Sequence, residues 1–279
     1  MEMYRYRWTS FLRELAFLAL GAVFLIPVYF LVIVALKPTE EVAVDPMGFP
    51  HHLTLSGFSE AWTSAGSGGL GGALISSALV TICAVVLLLA IGIPCAYVVV
   101  RRPSKLAASV AGLLLLGIIL PYQLGILPLY SAMNSVGLVG SRLGVIVVYV
   151  GQLTPFTVFL LTGFIRKLPR DYEEAAQVDG AGPLRTLLGT VVPLLRPGIA
   201  TVAILDSLIV WNDFFVPVIW LNGAEHVTVP VAIFSFVGEF SSQWSLVFAG
   251  ILIAVVPVLV LYLFTQRYLI RGFASGVRG

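Results

Sequence analysis

The chain has 279 residues, of which 59% are hydrophobic and only 11% are charged. A soluble domain carries about 25% charged residues, so the composition excludes an ordinary soluble enzyme and predicts an integral membrane protein in a lipid bilayer. The net charge of +2 is too small to indicate a nucleic-acid partner.

Six apolar runs are long enough to cross the bilayer, because a spanning helix needs about 20 apolar residues. These runs lie at about 15–36, 73–100, 106–133, 143–165, 198–221 and 244–265. We therefore predict an all-α polytopic membrane protein with six transmembrane helices. No loop is long enough for a separate soluble domain, so residues 1–279 are expected to form a single transmembrane domain.

The distribution of Lys and Arg predicts how the spans are oriented. One set of segments, consisting of both termini, 101–105 and 166–197, contains 14 of the 16 basic residues. The positive-inside rule places the basic side of a cell-membrane protein in the cytoplasm. Both termini are therefore predicted to be cytoplasmic, and the segments 37–72, 134–142 and 222–243 to be external.

The segment 166–197 is polar and begins with the pattern of a short helix. Asp171 stands where a capping residue is expected, and Glu173 and Glu174 in the first turn are favoured by the helix dipole. Ala175 and Ala176 are strong helix formers. A helix is therefore predicted over about 172–179.

Glycine and proline residues divide the same segment into two helices. Gly180 predicts the end of the first helix, and Gly182-Pro183 the start of a second. The second helix has one apolar face, formed by Leu184, Leu187, Leu188, Val191 and Val192. Pro193 and Pro197 are expected to end it, just before the fifth span. Such a hairpin either only connects two spans or binds a soluble partner.

The spacing of the residues in this hairpin resembles a known pattern. Glu174-Ala175-Ala176 is followed at the expected distances by Gly180 and by Val192-Pro193, and Asp179-Gly180-Ala181 matches a common variant. Thr190 replaces an aliphatic residue. The hairpin thus resembles the EAA loop of importer-type ABC transporter permeases, which is the socket for the ATP-hydrolysing subunit.

The resemblance extends over essentially the whole chain. Trp211-Asn212-Asp213-Phe214 and the ending Gln266–Gly272 are similar to carbohydrate-uptake permeases of the maltose type, in particular their six-span subunit. The resemblance implies a type I importer fold, a second permease subunit, two ATPase subunits and an extracytoplasmic solute-binding protein. The ATPase-coupling residues that it implies are Glu173, Glu174, Ala175, Ala176, Asp179, Gly180 and Gly182. ATP and Mg would be bound by the partner ATPase, and this chain would hold no cofactor.

Polar residues inside the spans are candidates for the substrate pathway. A charged Asp in the middle of a membrane costs about 2.5–3.5 kcal/mol on insertion scales, so such residues usually face a bundle interior or a wet cavity. Gln123, Trp211, Asn212 and Asp213 offer groups that suit the hydroxyls and rings of a sugar. Alternatively, they bond to the partner subunit or to neighbouring backbone. Asp206 lies on the same helix face as Asp213.

Other classes of function lack the residues that they require. There is no GxxxxGK[ST] phosphate-binding run, no HExxH or paired Cys/His metal site, and no recognisable set of catalytic residues. We therefore predict a non-enzymatic transport subunit that imports a sugar or oligosaccharide. The alternatives are an importer of a non-sugar solute, an ion-coupled secondary transporter that uses Asp206 and Asp213, or a scaffold whose hairpin recruits a soluble protein.

Overall fold

The computed structural model describes residues 8–65, 68–221, 223–238 and 242–274. Within these ranges the regular structure is entirely helical, as predicted. The helices are α1 (Trp8–Ala35), α2 (Thr39–Val44), α3 (Ser56–Ser64), α4 (Gly69–Arg101), α5 (Lys105–Ile119), α6 (Ile126–Ser135), α7 (Arg142–Arg166), α8 (Asp171–Val178), α9 (Pro183–Thr186), α10 (Val192–Asn212), α11 (Phe215–Trp220), α12 (Val229–Phe234) and α13 (Trp244–Ala274). A 3-10 turn lies at Tyr122–Gly125, and a π-helical turn at Leu187–Val191.

Five helical stretches of the described residues are long and apolar enough to cross a membrane. They are Ser10–Ala35, Gly69–Arg101, Arg142–Arg166, Pro183–Asn212 and Trp244–Phe264. A sixth crossing results if α5 and the bent segment after it count as one span. The predicted spans at 15–36, 73–100, 143–165 and 244–265 thus correspond to helices.

Helices α4 and α7 pack along one another at the centre of the bundle, with α10 beside both. Apolar residues of α4 such as Leu88 and of α7 such as Tyr149 belong to one buried cluster. Towards the other end of the same helices, Tyr97 and Leu161 join buried residues of α10 in a second cluster. Because these three helices share two cores, they form the scaffold that positions the loops at both ends.

The predicted third span over 106–133 consists of two helices that meet at a sharp bend. The chain leaves the helix after Ile119, and the two halves of this segment meet at an angle of 94°. Pro121 has no N–H for the helical ladder, and a residue before proline is disfavoured in the helical region. Leu120 accordingly has an extended backbone, with φ −75° and ψ 126°.

The predicted fifth span at 198–221 has different ends in the structure. It begins as a continuation of the second hairpin helix, so Pro193 and Pro197 do not end that helix. The π-helical turn that precedes Pro193 changes the hydrogen-bond register where the proline N–H is missing. At the other end, Asp213 is extended at φ −74° and ψ 128°, and it separates α10 from α11.

Hydrogen bonds between distant residues show which connecting segments lie at the same end of the bundle. Arg101, at the end of α4, contacts the segment 166–197. At the opposite end, Arg142 Nε donates to Ser76 Oγ at 3.0 Å, and the Gly140 N–H donates to the Trp220 carbonyl at 2.7 Å. These contacts agree with the predicted grouping of the loops.

The end of the bundle that carries the segment 166–197 is predicted to face the cytoplasm, and labelling can test this. We expect a cysteine at position 226 to react with an impermeant thiol reagent on intact cells, and one at position 178 to react only after permeabilisation. His226→Cys and Val178→Cys both change exposed residues. The background would carry Cys83→Ala and Cys95→Ala, which remove the native thiols. Labelling at 178 but not at 226 on intact cells would reverse the topology.

Candidate functional site

The helical hairpin at 171–191 turns at a glycine with a left-handed backbone. Gly180 has φ +82°, a conformation that residues with a side chain rarely adopt. The Ala181 N–H donates to the Ala176 carbonyl at 2.9 Å, which closes the end of α8. Gly182 is extended, and Pro183 then occupies the first turn of α9. The predicted turn between two helices is therefore present.

The start of α8 differs from the predicted cap. Arg170 occupies the capping position with a helical backbone, and no side chain caps the helix there. Asp171 already lies inside the first turn, together with Glu173 and Glu174. The acidic residues therefore stabilise this helix through its dipole rather than through a capping box.

Glu173 points inward and joins α8 to the end of α4. Its Oε1 accepts from Arg101 Nε at 2.7 Å, and its Oε2 accepts from the Tyr97 hydroxyl at 2.9 Å. Arg101 Nη2 also donates to the Leu168 carbonyl at 2.7 Å, just after α7. We call Tyr97, Arg101 and Glu173 the α4–α8 joint, since they connect the hairpin to both central helices.

The ion pair of the joint is shielded from solvent. The Arg101 and Glu173 side chains are each only 8% exposed, and both line a cleft of about 410 Å³ between α4 and the hairpin. Charges that are buried in this way bind strongly only when they are paired and hydrogen-bonded. Tyr97 and Arg101 were not among the predicted coupling residues, because they lie more than 70 residues from Glu173 and no local spacing connects them.

Other hairpin residues point outward. Among the predicted coupling residues, Glu174, Ala175, Asp179, Gly180 and Gly182 are exposed, and Ala176 is half-buried. Large apolar side chains lie exposed beside them: Val178 is 88% exposed, and Leu184 is 68% exposed. Leu184 and Leu188 therefore do not pack with the rest of the predicted apolar face, whereas Leu187 and Val191 are buried. The hairpin presents a mixed apolar and acidic surface.

The structure does not bring the four candidate pathway residues into one site. Gln123 is exposed at the bend between α5 and α6. Trp211 and Asn212 line a cavity of about 290 Å³ beside α12 and α13, and Asn212 Nδ2 donates to the Leu208 carbonyl of its own helix. Asp213 lies apart from them, at the break between α10 and α11.

Asp213 has a structural role at the break after α10. Its Oδ1 accepts from the Phe215 N–H at 3.1 Å, and its Oδ2 accepts from the Val216 N–H at 3.1 Å. The Tyr149 hydroxyl also donates to Oδ2, at 2.9 Å. The carboxylate thus caps α11 and ties it to α7, which corresponds to the neighbouring-backbone alternative.

Asp206 and Asp213 have different partners in the structure. Asp206 is 0% exposed, and its Oδ2 accepts from the Thr157 hydroxyl at 2.9 Å. Among the residues that the structure describes, none forms a hydrogen bond with its Oδ1. Because Asp206 is enclosed by its own chain, it does not reach a neighbouring subunit in this conformation.

Comparison with known proteins is consistent with these features. Residues 88–274 match the family described as binding-protein-dependent transport system inner membrane component. The chain is 35% identical over 252 residues, 90% of each protein, to the melibiose/raffinose/stachyose import permease protein MelC of Bacillus subtilis. It is 33% identical over 258 residues to the diacetylchitobiose uptake system permease protein NgcG of Streptomyces coelicolor, covering 92% of this chain and 84% of that protein.

A solved structure shares the fold. It is a chain of a bacterial ABC transporter involved in the import of the acidic polysaccharide alginate, with a TM-score of 0.78 and 20% identity. The match covers 95% of this chain and 99% of that chain. The sequence matches and the helical architecture agree, and the chain belongs to the family of binding-protein-dependent transport system inner membrane components.

Proposed function

We propose that this chain is the transmembrane permease subunit of an ATP-driven importer for a sugar or oligosaccharide. It would pair with a second permease subunit, two ATPase subunits and an extracytoplasmic binding protein that delivers the substrate. The names of its relatives, which concern melibiose, raffinose, stachyose and diacetylchitobiose uptake, support the substrate class. The family membership supports the type of assembly.

The observation that carries this proposal is the two-sided hairpin. One side of α8 is anchored internally through Glu173, and the other exposes Glu174 and Asp179 beside Val178 and Leu184. Exposed apolar residues rimmed by polar ones mark protein-binding surfaces, and a short helix that inserts into a groove is a common way to bind. A soluble ATPase subunit that docks here would be held by apolar contacts and by a charge-assisted bond to Glu174.

The α4–α8 joint offers a route by which movement of the docked ATPase reaches the membrane helices. Arg101 contacts both Glu173 and the Leu168 carbonyl, so a displacement of α8 pulls on the ends of α4 and α7 together. The second hairpin helix continues directly into the fifth span. Closure of the ATPase pair would thus move three central helices and switch the pathway between inward-open and outward-open states.

The division of labour between the subunits gives a direct test. We expect the purified permease in lipid bilayers to hydrolyse no ATP, because ATP and Mg would be bound by the partner ATPase. The complete assembly with its binding protein should hydrolyse ATP and accumulate sugar in proteoliposomes. Phosphate release is measured for both samples, with an ATPase-dead assembly as the control for contaminants. Turnover by the permease alone, or sugar accumulation without the ATPase, contradicts the proposal.

A further inference from the structure

The bend in the third membrane segment borders an open cavity against α7. This cavity has a volume of about 350 Å³, within the range of about 300–1,000 Å³ that is typical of small-molecule sites. Its nine lining residues are all uncharged and come from the bend and from α7; they include Gly117, Pro121, Tyr122, Gly151 and Gln152. A side chain at Gly151 would meet nothing within 4 Å, so the space beside it is open.

The cavity lies deep in the membrane. Gln152 is ten residues from the start of α7 and fourteen from its end, which places it roughly 15 Å and 21 Å along the helix from the two ends. Non-helical backbone at this depth is tolerated only where it is buried in protein or lines a water-filled cavity. Broken membrane helices form substrate sites in several classes of transporter.

One buried acceptor at this cavity has no partner among the described residues, and one backbone carbonyl loses its usual helical donor. The Gln152 Oε1 atom is buried and has no hydrogen-bond partner within the described part of the chain, which normally requires an explanation such as a bound group. The carbonyl of Gly117 would accept from the residue four positions later in a continuous helix, but that residue is Pro121, which has no N–H. The cavity therefore suits a ligand that brings its own hydrogen-bond donors.

We infer that this cavity is a sugar-binding site on the import pathway. Gln152 would accept a hydrogen bond from a sugar hydroxyl there. The inference rests on the proposed function. A sugar ring supplies hydroxyl donors for the unpaired Gln152 oxygen and an apolar face for the Tyr122 ring. A charged solute would remain uncompensated here, because burying an unpaired charge is costly and no lining residue is charged.

The test compares two amides on neighbouring helices. Gln152→Leu removes the acceptor in the cavity, whereas Asn134→Leu replaces an exposed amide of α6 that does not line it. Each variant is assembled with its partner permease, ATPase and binding protein in proteoliposomes. Uptake of labelled melibiose, raffinose and diacetylchitobiose is measured together with ATP hydrolysis and co-purification of the partner permease.

For Gln152→Leu we expect uptake of the transported sugar to fall at least about tenfold, while the binding-protein-stimulated ATP hydrolysis and the subunit composition stay within twofold of wild type. Asn134→Leu should keep wild-type uptake. Gly151→Val, which fills the open space, provides a second variant and should reduce uptake at least about fivefold. The inference is overturned if both cavity variants transport normally, or if they lose the partner permease, which would make the cavity a subunit contact. A wild-type assembly that accumulates none of these sugars would instead refute the proposed function.

Discussion

Arg101→Glu is expected to abolish sugar uptake while the permease remains in the membrane and keeps its ATPase partner. The substitution places two carboxylates where a buried ion pair of 2.7 Å now joins α4 to α8. Removing one partner of a buried pair costs about 3–5 kcal/mol, because the other charge is left uncompensated. The hairpin would still present Glu174 to the ATPase, but its movement would no longer reach α4 and α7.

Three measurements on purified assemblies check this expectation: co-purification of the ATPase, binding-protein-stimulated ATP hydrolysis, and uptake per ATP. The double variant Arg101→Glu with Glu173→Arg restores an opposite-charge pair and should recover part of the uptake. Recovery would be incomplete, because the bonds to Tyr97 and to the Leu168 carbonyl depend on the native arrangement. Arg102→Glu makes the same charge change at an exposed neighbour and should have little effect.

Two outcomes would contradict a role of the α4–α8 joint in transmitting movement. Full uptake by Arg101→Glu would show that the ion pair does not transmit movement. Equal loss in Arg102→Glu would show that the charge of this loop matters, rather than the buried contact.

Substitutions on the docking side of the hairpin should act at an earlier step, the binding of the ATPase itself. Gly180→Leu forces a side chain into a backbone with φ +82°, which costs roughly 1–2 kcal/mol for an ordinary residue. Glu174→Lys reverses the charge of an exposed residue in the first turn of α8, against the helix dipole. We expect both variants to reach the membrane at normal abundance but to lose ATPase co-purification and sugar uptake.

The matched controls separate backbone strain from the change of surface. Gly180→Asn introduces a side chain that tolerates the left-handed region, so it should retain more ATPase than Gly180→Leu. Glu174→Gln keeps the size of the side chain and most of its hydrogen-bonding capacity, and should fall between wild type and Glu174→Lys. If Glu174→Lys and Gly180→Leu both keep the ATPase and normal uptake, the hairpin is only a connector between spans.

The positions of the membrane helices followed from composition, because the bilayer sets the length of an apolar run and forces its backbone to be helical. Local chemistry likewise predicted the turn at Gly180 and the start of a helix at Pro183. The effect of a proline could not be predicted in the same way, because prolines in this chain have two different outcomes. Pro121 breaks its helix, whereas Pro193 and Pro197 lie within a continuous helix that follows a π-helical turn.

The candidate sites depend more strongly on tertiary structure. Glu173 and Glu174 are adjacent and chemically alike, so no sequence pattern could assign one to a buried ion pair and the other to the exposed surface. That difference arises because α4 ends with Arg101 against one side of α8. For Asp213 the sequence left two alternatives open, and only the structure shows that its carboxylate accepts from the first N–H groups of α11.

By itself, the sequence determined that this protein is a helical membrane protein with a polar hairpin that glycine and proline divide into two helices. Apolar length, charge asymmetry and helix-ending residues all act over short stretches of chain. Only the tertiary structure decided which polar groups are satisfied internally and which are left open. Gln152 and Tyr122 come together at a cavity because a bend of 94° brings separate helices to the same depth. Whether a polar group finds a hydrogen-bond partner depends on its neighbours in space, which are often distant in sequence.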